Sequence, residues 1–161
     1  MSSAVVGEIK ILMNGRVALC RGCRVGERAC RFGADALMSI SSEEGVVRLQ
    51  CPPDFDGGPD VAHGGWIAGV FDDALGRFLT HCKLKTVTAN LTVSFLMPVP
   101  TNRPLMLSVR IASREGRRIM MHGSLRLEGE TQDRATAHGV WVETRPDHFE
   151  RHRDQLSNLG F

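Results

Sequence analysis

One segment constrains the fold of this chain more than any other. Between residues 65 and 80, apolar Ile67, Val70, Phe71, Ala74, Leu75 and Phe78 recur at three- and four-residue spacing, the period of an amphipathic helix about 16 residues long. It is the one strong helical pattern in the middle of the chain, and β-type patterns flank it. Residues 36–40 and 46–51 read as two strands joined by the polar turn 41–45 (SSEEG). Residues 86–97, 104–113, 119–127 and 136–142 read as four more, expected to form a meander. In the first of these, Val87, Ala89, Leu91, Val93 and Phe95 alternate with Thr86, Thr88, Asn90, Thr92 and Ser94, so the apolar set is expected to cover the helix. Strand, strand, helix and four strands make an α+β order, which predicts a curved antiparallel sheet wrapped around one long central helix. Doubly wound folds need strands alternating with helices and are disfavoured.

A chain of 161 residues is the size of one domain, and the turn-rich stretch 51–59 (CPPDFDGGP) is too short for an interdomain linker. A single domain over 1–161 is therefore expected, with a cysteine-containing segment 1–33 and a polar tail 147–161 that is either a short surface helix or frayed. A net charge of +2 leaves no basic footprint for nucleic acid. Lys10 interrupts the start, so no export signal is read there. The longest run without a polar residue, 64–71, is far short of the roughly 20 residues that span a bilayer. The expected location is the cytoplasm. Five cysteines in a chain with its own core favour reduced thiols over a disulfide framework. Cys20, Cys23 and Cys30 stand as C-x2-C-x6-C among Arg21, Arg24, Arg28 and Arg31. Three readings stand open: three quarters of a zinc site with Cys51 as the fourth ligand, a low-pKa thiol pair, or neither. The spacing is no standard closed zinc motif, and no metal is assigned.

The sharpest chemical feature is His63-Gly64-Gly65 immediately before the helix. Glycines there either let the loop turn or leave the first N–H groups open to a developing negative charge, as in an oxyanion hole. Farther along, Gly65, Ala68, Gly69, Asp72 and Gly76 share one stripe of small residues. A carboxylate on such a face is costly to bury without a partner or a task, which singles out Asp72. Asp73 precedes Arg77 by four residues and reads as a solvated surface pair. Gly64 and Asp72 are separated by about 12 Å along one helix, too far to act on one carbon. Packing the stripe against that of a second, antiparallel chain would bring Asp72 of one chain to Gly64 of the other, so a twofold homodimer with two composite sites is expected.

The chain resembles the PaaI-type acyl-CoA thioesterases of the hotdog-fold superfamily. The resemblance rests on residues 55–59 (FDGGP) leading to His63-Gly64-Gly65, on Asp72 nine residues beyond His63, and on Ala74-Leu75-Gly76. It continues through 86–100 (TVTANLTVSFLMPVP), Gly116-Arg117-Arg118 and 139–149 (GVWVETRPDHF). It implies that Asp72 is the nucleophile or the base for water, that the amide of Gly64 polarises the thioester carbonyl, and that Thr88 helps hold the water. By the same resemblance His63 positions the carbonyl or the loop, while a structural His capping the helix entry is the other reading. Many relatives carry Asn or Gln at the position of Gly57, so what orients the water is open. No metal or cofactor is implied, coenzyme A being part of the substrate. Arg114, Arg117 and Arg118 are candidates for its phosphates, a solvated hairpin turn being the alternative. Gly57, Gly65 and Trp66 are expected near the substrate, with Trp66, Phe71, Phe95 and Met97 as candidate walls of an acyl groove. The expected partners are an acyl-CoA and a second copy of the chain, or a dimer of such dimers, and no membrane. Two rival classes are a weakly active acyl-CoA-binding protein and a hotdog body with an N-terminal metal or redox module.

Overall fold

The computed structural model describes residues 31, 32 and 34–160, so Cys20, Cys23 and Cys30 lie outside the described residues. The first hairpin is β1 (Ala34–Ser39) and β2 (Glu44–Gln50), closed by Ser41, whose hydroxyl accepts from the N–H groups of Glu43 and Glu44. A 3-10 turn (Pro53–Phe55) and the short pair β3 (Asp56–Gly58) and β4 (Val61–Ala62) lead into α1 (Gly64–His81). Then come β5 (Thr86–Phe95), β6 (Pro104–Glu115), β7 (Arg118–Leu127), β8 (Ala135–Glu143) and α2 (His148–Asn158).

The helical stripe read from sequence is the core. Phe71, Leu75 and Phe78 of α1 are fully buried beside Leu105, Leu107, Ile119 and Leu125 of the sheet, each such side chain contributing roughly 2 kcal/mol by leaving water. The antiparallel sheet runs β1-β2-β6-β7-β8-β5, with α1 against β1, β5, β6, β7 and β8. The expected four-strand meander is corrected here. Only β6, β7 and β8 follow one another, and β5 lies at the far edge beside β8. The chain can return from β5 to β6 because segment 96–103 is pinned on the way: Leu96 and Met97 donate to the carbonyl of Arg134, whose guanidinium donates to Pro98.

A second correction concerns the faces of β5. Its register on β8 shifts between Thr88 and Asn90, so Thr88 pairs with Trp141, whereas Leu91, Val93 and Phe95 pair with Gly139, Ala137 and Ala135. All four β8 partners are buried on the helix side. The extra residue, Ala89, inverts the alternation: Thr88 rather than Val87 faces α1 at one end, and the apolar residues do so only beyond the bulge. Gly139 makes room for this, since a Cβ there would meet the carbonyl oxygen of Asn90 at 2.4 Å and Trp141 at 2.8 Å.

Candidate active site

The β3–β4 pair and two backbone bonds, His63 N–H to Phe55 O and Ala62 N–H to Val99 O, both 2.8 Å, deliver the chain to the start of α1. His63 is the N-cap: its Nδ1 accepts from the N–H of Gly65 at 2.8 Å. In the neutral imidazole the ring proton then sits on Nε2. Gly65 therefore has its N–H engaged by the cap. Gly64, one residue earlier, keeps an N–H that the helix cannot satisfy, and it has no acceptor among the described residues. A Cβ on Gly57 would lie 2.9 Å from the Cα of His63, so the close approach of β3 to the cap requires a glycine there.

Gly64 opens onto an apolar groove of about 480 Å³ whose walls include Val61, Ile67, Phe95, Met97 and Val99. The Phe95 ring stands 3.4 Å from where a Gly64 Cβ would be and is 58% exposed. Trp66 and Phe71, expected as walls, are core residues at 3% and 0% exposure. They project from the buried side of α1, and the groove is walled instead by β4 and the segment after β5. Sequence reading missed Val61 and Val99, which lie in short pieces without periodicity.

Two turns into α1, Asp72 is exposed and accepts a hydrogen bond from the Thr88 hydroxyl, Oγ1 to Oδ1, at 2.7 Å. The bulge at Ala89 is what aims Thr88 there. Asp73, read from sequence as a solvated partner of Arg77, is corrected: the two form a buried ion pair at 7% and 9% exposure. The reason is that α1 lies inside a curved sheet, so its 73/77 side faces β1, where Arg77 also donates to the carbonyl of Asp35. Burial pushes the Asp73 carboxyl above its ordinary range, against the pull of Arg77. The small-residue stripe is partly filled within the chain, because the Phe32 ring sits 2.8 Å from where a Gly69 Cβ would be, and Gly76 is buried.

The arginines of the β6–β7 turn lie at the other end of the sheet from the groove. Arg118 pairs with Val142 and Val142 with Val87, whereas Ala135 pairs with Phe95. Eight residues of β5 separate the two ends by about 26 Å. Arg117 and Arg118 thus stand near Thr88 and Asp72, and not near Gly64 of the same chain. Arg114 pairs with Glu143 at 2.6 Å, and Arg117 donates to the Glu143 carbonyl at 3.2 Å. Cys51 is buried, and desolvation, with the nearby Asp56 charge, pushes its thiol up to about 11, which makes it a poor thiolate ligand. Among the described residues no three His, Cys, Asp or Glu side chains gather as a metal site, and no helix is long and apolar enough to cross a membrane.

A long helix gripped by a curved antiparallel sheet, with a glycine-opened N-terminus at a groove and a carboxylate farther along its open face, is a hotdog fold. Residues 60–133 match the model of the thioesterase superfamily. It is 26% identical over 101 residues to acyl-coenzyme A thioesterase THEM4 of Xenopus laevis, a match covering 63% of this chain and 46% of that protein. The chain thus spans less than half the length of this relative. The structure of the E. coli PaaI protein from the phenylacetic acid degradation operon superposes with a TM-score of 0.63 at 18% identity, over 70% of this chain and 84% of that one. A hypothetical thioesterase protein with coenzyme A from Streptococcus pneumoniae superposes at 0.62 with 16% identity, over 67% and 84%.

Proposed function

We propose that this protein hydrolyses an acyl-CoA thioester to the free acid and coenzyme A at sites shared between two chains. The observation that carries this reading is the 2.7 Å hydrogen bond from Thr88 to Asp72, which holds one carboxylate oxygen and leaves the other free on an open helix face. The acyl group lies in the groove at Gly64, with its carbonyl oxygen at the Gly64 N–H. Asp72 of the partner subunit either takes a proton from an attacking water or attacks the carbonyl carbon itself. Negative charge develops on the carbonyl oxygen, where the amide and the helix dipole stabilise it. The tetrahedral species collapses with cleavage of the C–S bond, giving the free acid at once where water attacked, or an anhydride of the acyl group with Asp72 that a water then hydrolyses where Asp72 attacked. A thiolate leaves without help from an acid, so one carboxylate and one set of oxyanion donors suffice.

Two features support the shared site, and a third supports the substrate. Gly64 and Asp72 lie about 12 Å apart along one helix. Among the described residues strand β5 has a free edge, which can pair with a second copy, and it exposes Asn90, Thr92, Ser94 and Phe95. The relative named for acyl-coenzyme A thioesterase activity and the neighbour solved with coenzyme A share the domain. The test is thiol release from a panel of acyl-CoA esters. Wild type is expected to turn over at least one ester, and Asp72→Asn to lose at least about a hundredfold in kcat, the scale of a lost general base, while still binding coenzyme A. Equal rates would remove Asp72 from the mechanism. Binding without hydrolysis of any ester would leave a carrier or sensor of acyl-CoA.

A further inference from the structure

Helix α2 is an anomaly of packing. It buries no residue, yet Phe149, Leu156 and Leu159 are large apolar side chains standing exposed on it. Phe149, Arg153 and Leu156 form a row at i, i+4 and i+7 along one side. The side turned to the body is another one, about 100° round the helix, where His148, His152 and Gln155 approach Val87 and Val142 of the sheet. An ordinary surface helix turns its apolar row to the core, and this one turns it away. The groove at Gly64 has the converse defect. Val61, Ile67 and Val99 wall it from within the body, but Phe95 and Leu96 on its rim are exposed. Among the described residues, the rim and α2 hold every exposed large apolar side chain except Ile40 and Phe55.

The two patches lie at opposite ends of the edge strand β5, since Val87 beside α2 and Leu96 on the rim are separated by about 30 Å of extended chain. A twofold interface brings each patch of one chain to the other patch of its partner. Phe95 stands at Gly64, and Thr88 holds Asp72. The pairing that joins Gly64 to Asp72 of the partner subunit therefore also sets Leu96 beside Val87 of the partner subunit. Charge agrees with it. On the approach to the groove Asp54, Asp56 and Asp60 are exposed and in no ion pair, with only Arg103 near them in the chain. At the α2 end, with Arg114 taken by Glu143, the unpaired Lys83, Lys85, Arg118, Arg145, Arg151 and Arg153 outnumber Glu115, Asp147, Glu150 and Asp154. We propose that α2 docks on a second copy of this chain, where Phe149 and Leu156 close the open side of the acyl groove and Arg153 between them faces the carboxylates of 54–60. The inference rests on the shared-site reading above, and it makes α2 a determinant of which acyl groups are held.

Two measurements on the full chain test it. The first is oxidation of Leu96→Cys/Phe149→Cys, with wild type as the control for native cysteines and Ile40→Cys/Phe149→Cys as the control for chance encounters. Within one chain the two positions are far beyond the roughly 7 Å that a disulfide spans, so a bond between them joins two chains. A covalent dimer well above both controls is expected on a non-reducing gel. The second is calorimetric titration of coenzyme A and octanoyl-CoA into Asp72→Asn, which holds the ester uncleaved, and into the same variant carrying Phe149→Ser/Leu156→Ser. Because α2 buries nothing in its own chain, the added serines leave the core intact. Coenzyme A is expected to bind both proteins alike, whereas the affinity gained from the octanoyl chain falls at least about tenfold in the second, the scale of one apolar side chain withdrawn from contact. The proposal is overturned if the covalent dimer is no more abundant than in the Ile40 control, or if the octanoyl chain contributes equally in both proteins. Failure of the thioesterase reading looks different: the Leu96–Phe149 dimer forms, and keeps α2 as the docking element, in a protein that neither binds nor hydrolyses an acyl-CoA.

Discussion

At the scale of single residues, the neighbours Asp72 and Asp73 show how position on one helix decides what a carboxylate does. Asp72 sits on the open face, where the Thr88 hydroxyl donates to it. Asp73, one residue on, is turned into the body and held by Arg77. An ion pair removed from water gains little over an apolar pair of similar size, but loses heavily when one member is deleted. Arg77→Met is therefore expected to destabilise the protein by about 3 kcal/mol or more, while Asp73→Leu/Arg77→Met recovers most of that loss. Urea unfolding of the two variants and wild type checks this, and a double variant no more stable than the single one would contradict it. The acid-then-base spacing showed the pair in the sequence, but not its burial. That depends on the sheet curling over both flanks of α1, a long-range event that no local pattern encodes. The cap of His63 was one of two readings and became visible only with the ring's distance to Gly65.

At the scale of elements, the helix and every strand of the main sheet were legible from periodicity to within a few residues, because one side of each is pressed on the core. The direction of the β5 side chains was not, since strict alternation put Thr88 away from the helix. A bulge leaves no mark in its own strand here, Ala89 being an ordinary residue. Its trace is Gly139 on the neighbouring strand, whose missing side chain leaves space for the Asn90 carbonyl. The order β8-β5 at the edge was also hidden, because the return through 96–103 is held by bonds from its backbone to the carbonyl and guanidinium of Arg134 rather than by a periodic side-chain pattern. Gly139→Ala tests the link between bulge and site. With a Cβ forced to 2.4 Å from that carbonyl, β5 must shift, and overpacking of this kind costs about 1–3 kcal/mol. The expected result is a lower melting temperature together with a drop in kcat well beyond the lost folded fraction, because Thr88 moves off Asp72. A melting temperature and kcat both at wild-type values would show that the bulge does not position Thr88.

At the scale of the whole molecule, one chain holds the two halves of the proposed site at opposite ends of its sheet: Gly64 and the groove at one, Asp72, Thr88 and the arginines at the other. An antiparallel pair of chains would join the unlike ends twice. Position 64 allows a clean lesion. It is the first residue of α1, where proline is tolerated and removes only an N–H that the helix does not use. The residue before it, His63, already has the extended backbone that proline demands, with φ −64° and ψ 139°. Gly64→Pro should therefore fold as wild type and lose hydrolysis, as Asp72→Asn does. Mixed dimers of the two variants would contain one site with both lesions and one with neither. Random assortment makes half the dimers mixed, so refolding an equal mixture of two inactive proteins should restore about a quarter of wild-type activity. If each site were built within one chain, every site in the mixture would carry a lesion and no activity would return, so the fraction recovered measures how the two ends are joined.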